Sequence, residues 1–298
     1  MNGRDVAFQA HEIKEHLIES RVVAQTFKIK VLQPISRTDG SERFAVLYAT
    51  DSDLFFGAFA GMASELQSLG ETPRFILVRI GYQNSGALEL LRWRDFATHS
   101  MRAPHRGILQ QVAEAPLLDG AYDLDTIMEG TDAAQFLQFV TEELMPFVAA
   151  QYPTLAGDNN YFGYSAGALF GLYTLFTRPN TFRRYILGSP ASSYQRRDFG
   201  LELASDFIKS KEPMDAKVYM SVGELEEFKR GHEHLELVTG YYRLTKFLKQ
   251  SAIPGLDLKG RVFPGETHAT AWTLAFIHGL KTLFGPVDQV PYWPDFLK

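Results

Sequence analysis

Cysteine is absent from this chain of 298 residues. Its absence excludes disulfide frameworks, thiol nucleophiles and metal sites with Cys ligands, and it leaves the redox compartment open. Long apolar runs are also lacking: no apolar span of 18 residues occurs, and residues 1–20 are mixed and charged, unlike a signal peptide. We therefore expect no membrane partner and a cytoplasmic location.

Basic residues are fewer than acidic ones, with 30 Lys and Arg against 35 Asp and Glu, so the formal net charge is −5. That balance disfavours nucleic acid as a partner. Because 45% of the residues are hydrophobic, the chain can bury one large core. Repeats, low-complexity tracts and linkers are not found, so we predict a single domain over residues 1–298.

Segments with a strand pattern alternate along the chain with segments that have a helix pattern. Such alternation is typical of an α/β fold with a mostly parallel, twisted sheet and helices on both faces. The predicted strands are residues 21–32, 44–50, 75–80, 161–162, 185–187, 218–222 and 258–263. The predicted helices are residues 54–69 and 131–150, with others from about residues 205, 234 and 269.

Residues 163–167 read Gly-Tyr-Ser-Ala-Gly, which is a Gly-x-Ser-x-Gly motif. A short extended segment precedes the motif and an apolar run follows it, which is the strand–turn–helix setting of the nucleophile in α/β-hydrolases. We therefore predict that Ser165 is the nucleophile. The N–H of Ala166 is the expected first oxyanion donor, and an N–H near Ser52 or Asp53 is the expected second donor.

A serine nucleophile of this type is followed in the chain first by an acid and then by a histidine. His268 lies in a turn between a predicted strand and a predicted helix, where a catalytic side chain can reach the same rim as the serine. His278 lies in the middle of that helix and is better explained by packing. His232 and His234 are two residues apart on a predicted helix and point to different faces, which disfavours a metal pair. We predict no metal site.

The acid is expected after the strand 216–222, where three carboxylates follow Gly223. The usual spacing places the acid three residues after the glycine that ends the strand, which favours Glu226. Glu224 is the second candidate and Glu227 the third. At least two of the three must be solvated turn residues.

Six segments of the chain, in order, resemble the putative-esterase (esterase D-like) family of α/β-hydrolases. Within it the chain is most similar to the branch of siderophore esterases that cleave enterobactin-type trilactones. The chain departs from the family at Ser52, where the family often has glycine, and at residues 191–194, where it tends to have tryptophans. Both departures lie near the expected pocket and bear on the substrate more than on the chemistry. The six segments are residues 46–51, 78–82, 92–96, 163–167, 188–190, and 222–226 together with 264–268.

The resemblance implies a serine esterase of the α/β-hydrolase fold that cleaves a small-molecule carboxylic ester through an acyl-enzyme, without a cofactor. A siderophore lactone is one substrate that it implies. A general short-acyl carboxylesterase or thioesterase and an acyltransferase use the same triad and stay open. A non-catalytic binding protein is disfavoured, because the serine, the histidine and the acidic cluster are all present.

Residues 82–130 contain prolines, glycines and little periodicity, so we predict an irregular, lid-like insertion. Between residues 92 and 106 it has four arginines and one acid. They are interpreted either as a solvated loop paired with surface carboxylates or as a lid that meets an anionic or catechol-rich substrate. Arg92, Arg94, Tyr164 and Phe55 are the candidate substrate contacts.

The tail, residues 286–298, has three prolines and cannot be helical throughout. Its aromatic side chains must pack on the body of the protein or on a second subunit. The oligomeric state, monomer or homodimer, therefore stays open.

Overall fold

Strands and helices alternate along a computed structural model of the chain, which describes residues 11–35, 39–50, 56–83, 88–102, 106–113, 124–194, 197–228 and 236–285. The strands are β1 (His11–Ser20), β2 (Gln25–Pro34), β3 (Phe44–Ala49), β4 (Phe75–Tyr82), β5 (Thr154–Tyr164), β6 (Arg184–Gly188), β7 (Ser193–Tyr194), β8 (Arg197–Asp198), β9 (Ala216–Gly223) and β10 (Leu256–Phe263).

Eight of these strands form one sheet in the order β1-β2-β4-β3-β5-β6-β9-β10. The pairs from β4 to β10 in that order are parallel, and β1 and β2 extend the sheet through antiparallel pairs. β7 and β8 form a separate two-stranded sheet. Every residue of β4 is buried, as expected for an inner strand covered on both faces.

Helices cover both faces of the sheet. Phe59 and Phe276 pack together on one face, with ring centroids 4.5 Å apart, and Phe136 and Phe170 pack on the other at 4.9 Å. The predicted α/β-hydrolase architecture is therefore confirmed. The helices are α1 (Phe56–Ser68), α2 (Leu88–Phe96), α3 (His99–Arg102), α4 (Arg106–Ala113), α5 (Leu124–Glu129), α6 (Ala133–Gln138), α7 (Met145–Gln151), α8 (Ala166–Thr177), α9 (Phe199–Ser210), α10 (Leu237–Ser251) and α11 (His268–Phe284), with a π-helical turn, Phe139–Leu144, between α6 and α7.

Two parts of the chain differ from the sequence-based expectation. Strand β1 lies within residues 1–20, a mixed and charged stretch for which no element was predicted. It is an edge strand with most of its side chains in solvent. The expected irregular insertion at residues 82–130 contains α2 to α5 in its described parts. Helix α2 has no clear periodicity because seven of its nine residues, including Arg94 and Asp95, are buried.

The parallel strands end at a common edge, where α/β proteins place their sites. The register aligns Tyr164 of β5 with Gly188 of β6, and Gly188 with Ser221 of β9. Gly223, the last residue of β9, is aligned with Phe263 of β10. The turns that follow β5, β6, β9 and β10 are therefore neighbours.

Candidate active site

Ser165 is the single residue between the end of β5 and the start of α8. Its backbone has φ +57° and ψ −116°, a conformation that is strained for any residue with a side chain. A Cβ added to Gly163 would lie 2.4 Å from the carbonyl oxygen of Gly167, so the strand and the helix cross too closely for any residue but glycine. These are the features of a nucleophile elbow.

Hydrogen bonds from neighbouring turns hold the main chain of this elbow. The N–H of Ser165 donates to the carbonyl of Gly188 at 2.9 Å, and the N–H of Ala191 donates to the carbonyl of Ser165 at 3.2 Å. The hydroxyl of Tyr161 donates to the carbonyl of Gly167 at 2.7 Å. The strained turn is thus supported on both sides by the sheet and by the turn after β6.

His268 is the first residue of α11, directly after the turn that follows β10. Its Nδ1 lies 2.7 Å from Oε2 of Glu226. Because a carboxylate can only accept a hydrogen bond, Nδ1 carries the proton and donates. The pair is sheltered, since the side chain of His268 is 20% exposed and that of Glu226 is fully buried.

The carboxylate of Glu226 is bound at both oxygens. Oε1 accepts from the hydroxyl of Ser189 and from the N–H of Gly223, each at 2.6 Å, and Oε2 accepts from His268. A buried charge is tolerated when it is paired and hydrogen-bonded in this way. A contact between Ser189 and the acid was not expected from the sequence, although residues 188–190 are one of the six family-like segments and follow a parallel strand at the correct edge.

The two other glutamates of this turn bind elsewhere. Oε2 of Glu224 accepts from the N–H of Gly265 at 2.9 Å, in the turn before the histidine. Glu227 accepts from the hydroxyl of Thr239 at 2.8 Å, in the first turn of α10. The structure brings Glu226, and not these two residues, to the imidazole.

Tyr164 packs directly against the histidine. Its ring centroid lies 4.8 Å from that of His268, and its hydroxyl donates to the carbonyl of His268 at 2.8 Å. Burial, and then the nearby charge of Glu226, raises the pKa of the Tyr164 phenol well above its ordinary value. The phenol is therefore a neutral donor. The expected contact of Tyr164 with substrate stays a prediction.

Two arginines of the cluster at residues 92–106 are buried. Arg94 binds both oxygens of Asp95, at 2.7 and 2.9 Å, and the hydroxyl of Tyr82 donates to the same carboxylate at 3.0 Å. Burial raises the pKa of Asp95, and the guanidinium of Arg94 opposes that rise. Arg102 is fully buried and donates to the carbonyl of Gly130 at 3.3 Å.

The other two arginines pair with exposed carboxylates. Arg92 lies 2.8 Å from Glu89, one turn away on α2, and Arg106 lies 2.7 Å from Asp125 of α5. The four side chains therefore do not form one basic surface, because Arg94 and Arg102 are buried, and Arg92 and Arg106 pair with acidic side chains of the same insertion. A role of Arg92 and Arg94 in binding substrate stays a prediction.

Three predicted site residues, Ser52, Asp53 and Phe55, lie outside the described residues, as do His232 and His234, at which a metal pair was disfavoured. Ala166 is the first residue of α8, and a first-turn N–H has no acceptor within its own helix, as an oxyanion donor requires. Among the described residues, no group of three or more His, Asp or Glu side chains could hold a metal ion. No described helix is long and apolar enough to cross a bilayer.

One family model matches the part of the chain that contains the three triad candidates. The family model described as "Putative esterase" matches residues 113–283, which is more than half of the chain and includes Ser165, Glu226 and His268. The chain belongs to this esterase family. The resemblance inferred from the six segments is thereby confirmed.

Individual relatives extend the similarity over nearly the full length. The ferri-bacillibactin esterase BesA of Bacillus subtilis is 26% identical over 296 residues, which cover 95% of this chain and 93% of BesA. The siderophore hydrolase EstA of Aspergillus nidulans has a similar structure, with a TM-score of 0.73, 19% identity, and coverage of 95% of this chain and 97% of EstA. The IroE-like serine hydrolase of Shewanella oneidensis has a TM-score of 0.72 and 22% identity, covering 92% and 80%.

Proposed function

We propose that this esterase cleaves carboxylic esters with Ser165 as nucleophile, His268 as general base and Glu226 as the acid that orients the imidazole. The observation that supports this most strongly is the buried contact between Glu226 and His268, at the edge where Ser165 occupies its strained turn. The serine, the acid and the histidine follow one another in the chain in the order of α/β-hydrolases.

In the first step, Nε2 of His268 takes the proton of the Ser165 hydroxyl while Oγ attacks the ester carbonyl carbon. The carbonyl electrons move to oxygen, and the N–H of Ala166 stabilises the oxyanion together with a second N–H, which we assign to Ser52 or Asp53. The tetrahedral intermediate then collapses, and the alcohol leaves with the proton from the imidazolium. An acyl-enzyme on Ser165 remains.

In the second step, His268 takes a proton from water as the water oxygen attacks the acyl carbon. The same oxyanion donors act again, and Ser165 leaves with the proton that the imidazole returns. The product is the free acid. The buried charge of Glu226 stabilises the imidazolium in both steps, since solvent does not screen the contact. No cofactor takes part in either step.

We propose a siderophore ester as the natural substrate, because BesA is named a ferri-bacillibactin esterase and EstA a siderophore hydrolase, and both match the chain over most of its length. In a siderophore lactone the scissile group is an ordinary carboxylic ester, which the proposed triad attacks without further machinery. A general short-acyl esterase uses the same residues, so the substrate must be tested directly.

The test is a panel of substrates: ferric and iron-free catecholate trilactones beside p-nitrophenyl acetate and butyrate. We expect kcat/KM for one of the trilactones to exceed that of the simple esters by at least about 100-fold, because remote binding energy then contributes to the transition state. Ser165→Ala is the blank for each substrate. Equal or higher kcat/KM for the simple esters would overturn the siderophore assignment and leave the esterase.

A further inference from the structure

The turn after β6, residues 188–191, contacts both the proposed nucleophile and the proposed acid. Gly188 and Ala191 bind the main chain of Ser165, through a carbonyl at 2.9 Å and an N–H at 3.2 Å. Ser189, between them, donates its hydroxyl to Oε1 of Glu226 at 2.6 Å. One short segment therefore links two residues that are 61 positions apart in the chain.

Ser189 is held in this position by its backbone. Its φ is +46°, in the left-handed region that residues with a side chain rarely adopt. Its N–H donates to the carbonyl of Ser221 at 2.7 Å, and the residue is completely buried. Such conformations persist where the surrounding structure over-determines them, and they are concentrated at functional sites.

The hydrogen bonds of Glu226 show how Ser189 orients its carboxylate. Two donors, Ser189 and the N–H of Gly223, converge on Oε1, so Oε2 is the oxygen that faces Nδ1 of His268. The Gly223 bond is local, because it joins residues three apart in one turn. The bond from Ser189 comes from another strand end and ties that turn to the elbow.

We propose that Ser189 is a positioning residue of the esterase. Its hydroxyl holds the carboxylate of Glu226 in a fixed position relative to His268 and to the nucleophile elbow. This inference rests on the proposed function, since it assigns a task to a residue that acts through the triad acid. Ser189 does not touch the ester. Its effect is on kcat and on the protonation of the acid–histidine pair.

The residue that follows this turn, Ser192, offers a matched control. Ser192 is also completely buried, yet its hydroxyl has no hydrogen-bond partner among the described residues. Ser192→Ala therefore removes a buried hydroxyl beside the turn of residues 188–191 without removing a contact to the acid. Ser189→Ala and Ser189→Gly remove the contact, and Ser189→Gly also relieves the strain at positive φ.

The experiment measures kcat, KM and the pH profile of kcat/KM for p-nitrophenyl butyrate, together with the melting temperature. One lost hydrogen bond to a charged group corresponds to about a tenfold to hundredfold fall in kcat for both Ser189 variants, with KM little changed. The acid limb of the profile should move to higher pH, because removing a donor from an anion raises the proton affinity of the coupled pair. Ser192→Ala should match the wild type in kcat and profile.

The strain-relieving variant keeps the test decisive if Ser189→Ala folds poorly. Ser189→Gly with wild-type kcat and a superimposable pH profile overturns the inference. A fall in kcat without any movement of the acid limb also overturns it, because the role would then be structural. Failure of the proposed function would give a different result. Ester hydrolysis would then persist in Ser165→Ala, and that result does not depend on the behaviour of the Ser189 variants.

Discussion

Three glutamates that lie within four residues of one another have three different tasks. Glu226 binds the imidazole, Glu224 binds the N–H of Gly265, and Glu227 binds Thr239 at the start of α10. The side chain that turns inward is the only one of the three that is fully buried. Solvent would weaken the contact of either of the others with an imidazolium.

Glu226→Gln should lower kcat strongly, because a neutral amide cannot stabilise the imidazolium or fix its tautomer. In serine hydrolases the equivalent change costs on the order of 10⁴ in kcat. Steady-state kinetics with p-nitrophenyl butyrate measures the loss. Glu224→Gln is the matched control and should change kcat by less than about threefold, as a solvent-exposed substitution does. A severe loss at Glu224 with none at Glu226 would reverse the assignment.

At the scale of elements, the crossing of β5 and α8 is the tightest feature of the site. Gly163 and Gly167 touch where any side chain would collide, and the turn between them carries Ser165. The neighbour that a new Cβ would meet is main chain, which cannot move without displacing the nucleophile.

Gly163→Ala should therefore destabilise the protein by about 2–3 kcal/mol or more and abolish activity in the fraction that folds. Gly61→Ala is the control, because that glycine lies in α1 with open space around it. It should stabilise the protein by about 0.5–1 kcal/mol through the higher helix propensity of alanine. Urea unfolding measures both. Wild-type stability and activity in Gly163→Ala would contradict the account of the elbow.

Helix α2 contains a buried ion pair, Arg94 with Asp95, and the hydroxyl of Tyr82 in β4 connects this pair to the sheet by donating to Asp95 at 3.0 Å. Asp95→Asn leaves the guanidinium buried without its charge partner, so unfolding should become easier by about 3–5 kcal/mol. Asp125→Asn breaks the exposed pair with Arg106 and should cost less than about 1 kcal/mol. Denaturant titration compares the two.

The same variants separate a structural role of the pair from substrate binding. If Arg94 only holds α2, folded Asp95→Asn keeps its KM for an anionic ester relative to a neutral ester. A selective fall in KM for the anionic ester, without loss of stability, would show that the guanidinium released from Asp95 contacts substrate, and it would contradict the structural role.

At the scale of the whole molecule, the sequence predicted the fold class because its inner strands are apolar and bounded by turns. It predicted Ser165, Glu226 and His268 as the triad from a motif and a spacing, and the structure brings Glu226 and His268 into contact. Their roles stay a proposal. Strand β1 could not be predicted, because an edge strand in solvent has no apolar period.

Long-range contacts between side chains also could not be predicted from the sequence. The hydrogen bond from Ser189 to Glu226 joins the ends of two strands, and no local sequence pattern predicts it. Buried charged residues give a different error. From the sequence, Arg94 and Asp95 would be assigned to the surface, whereas the structure shows them as a buried ion pair. Both errors arise because periodicity records burial of apolar groups and not the pairing of polar ones.

The most direct test of the account is covalent labelling with a fluorophosphonate probe, followed by intact-mass and peptide mass spectrometry. The account predicts one adduct per chain, located on Ser165, and complete loss of ester hydrolysis at full labelling. Ser165→Ala should remain folded, unlabelled and inactive. Labelling or hydrolysis that persists in Ser165→Ala would contradict the central claim that this serine is the nucleophile.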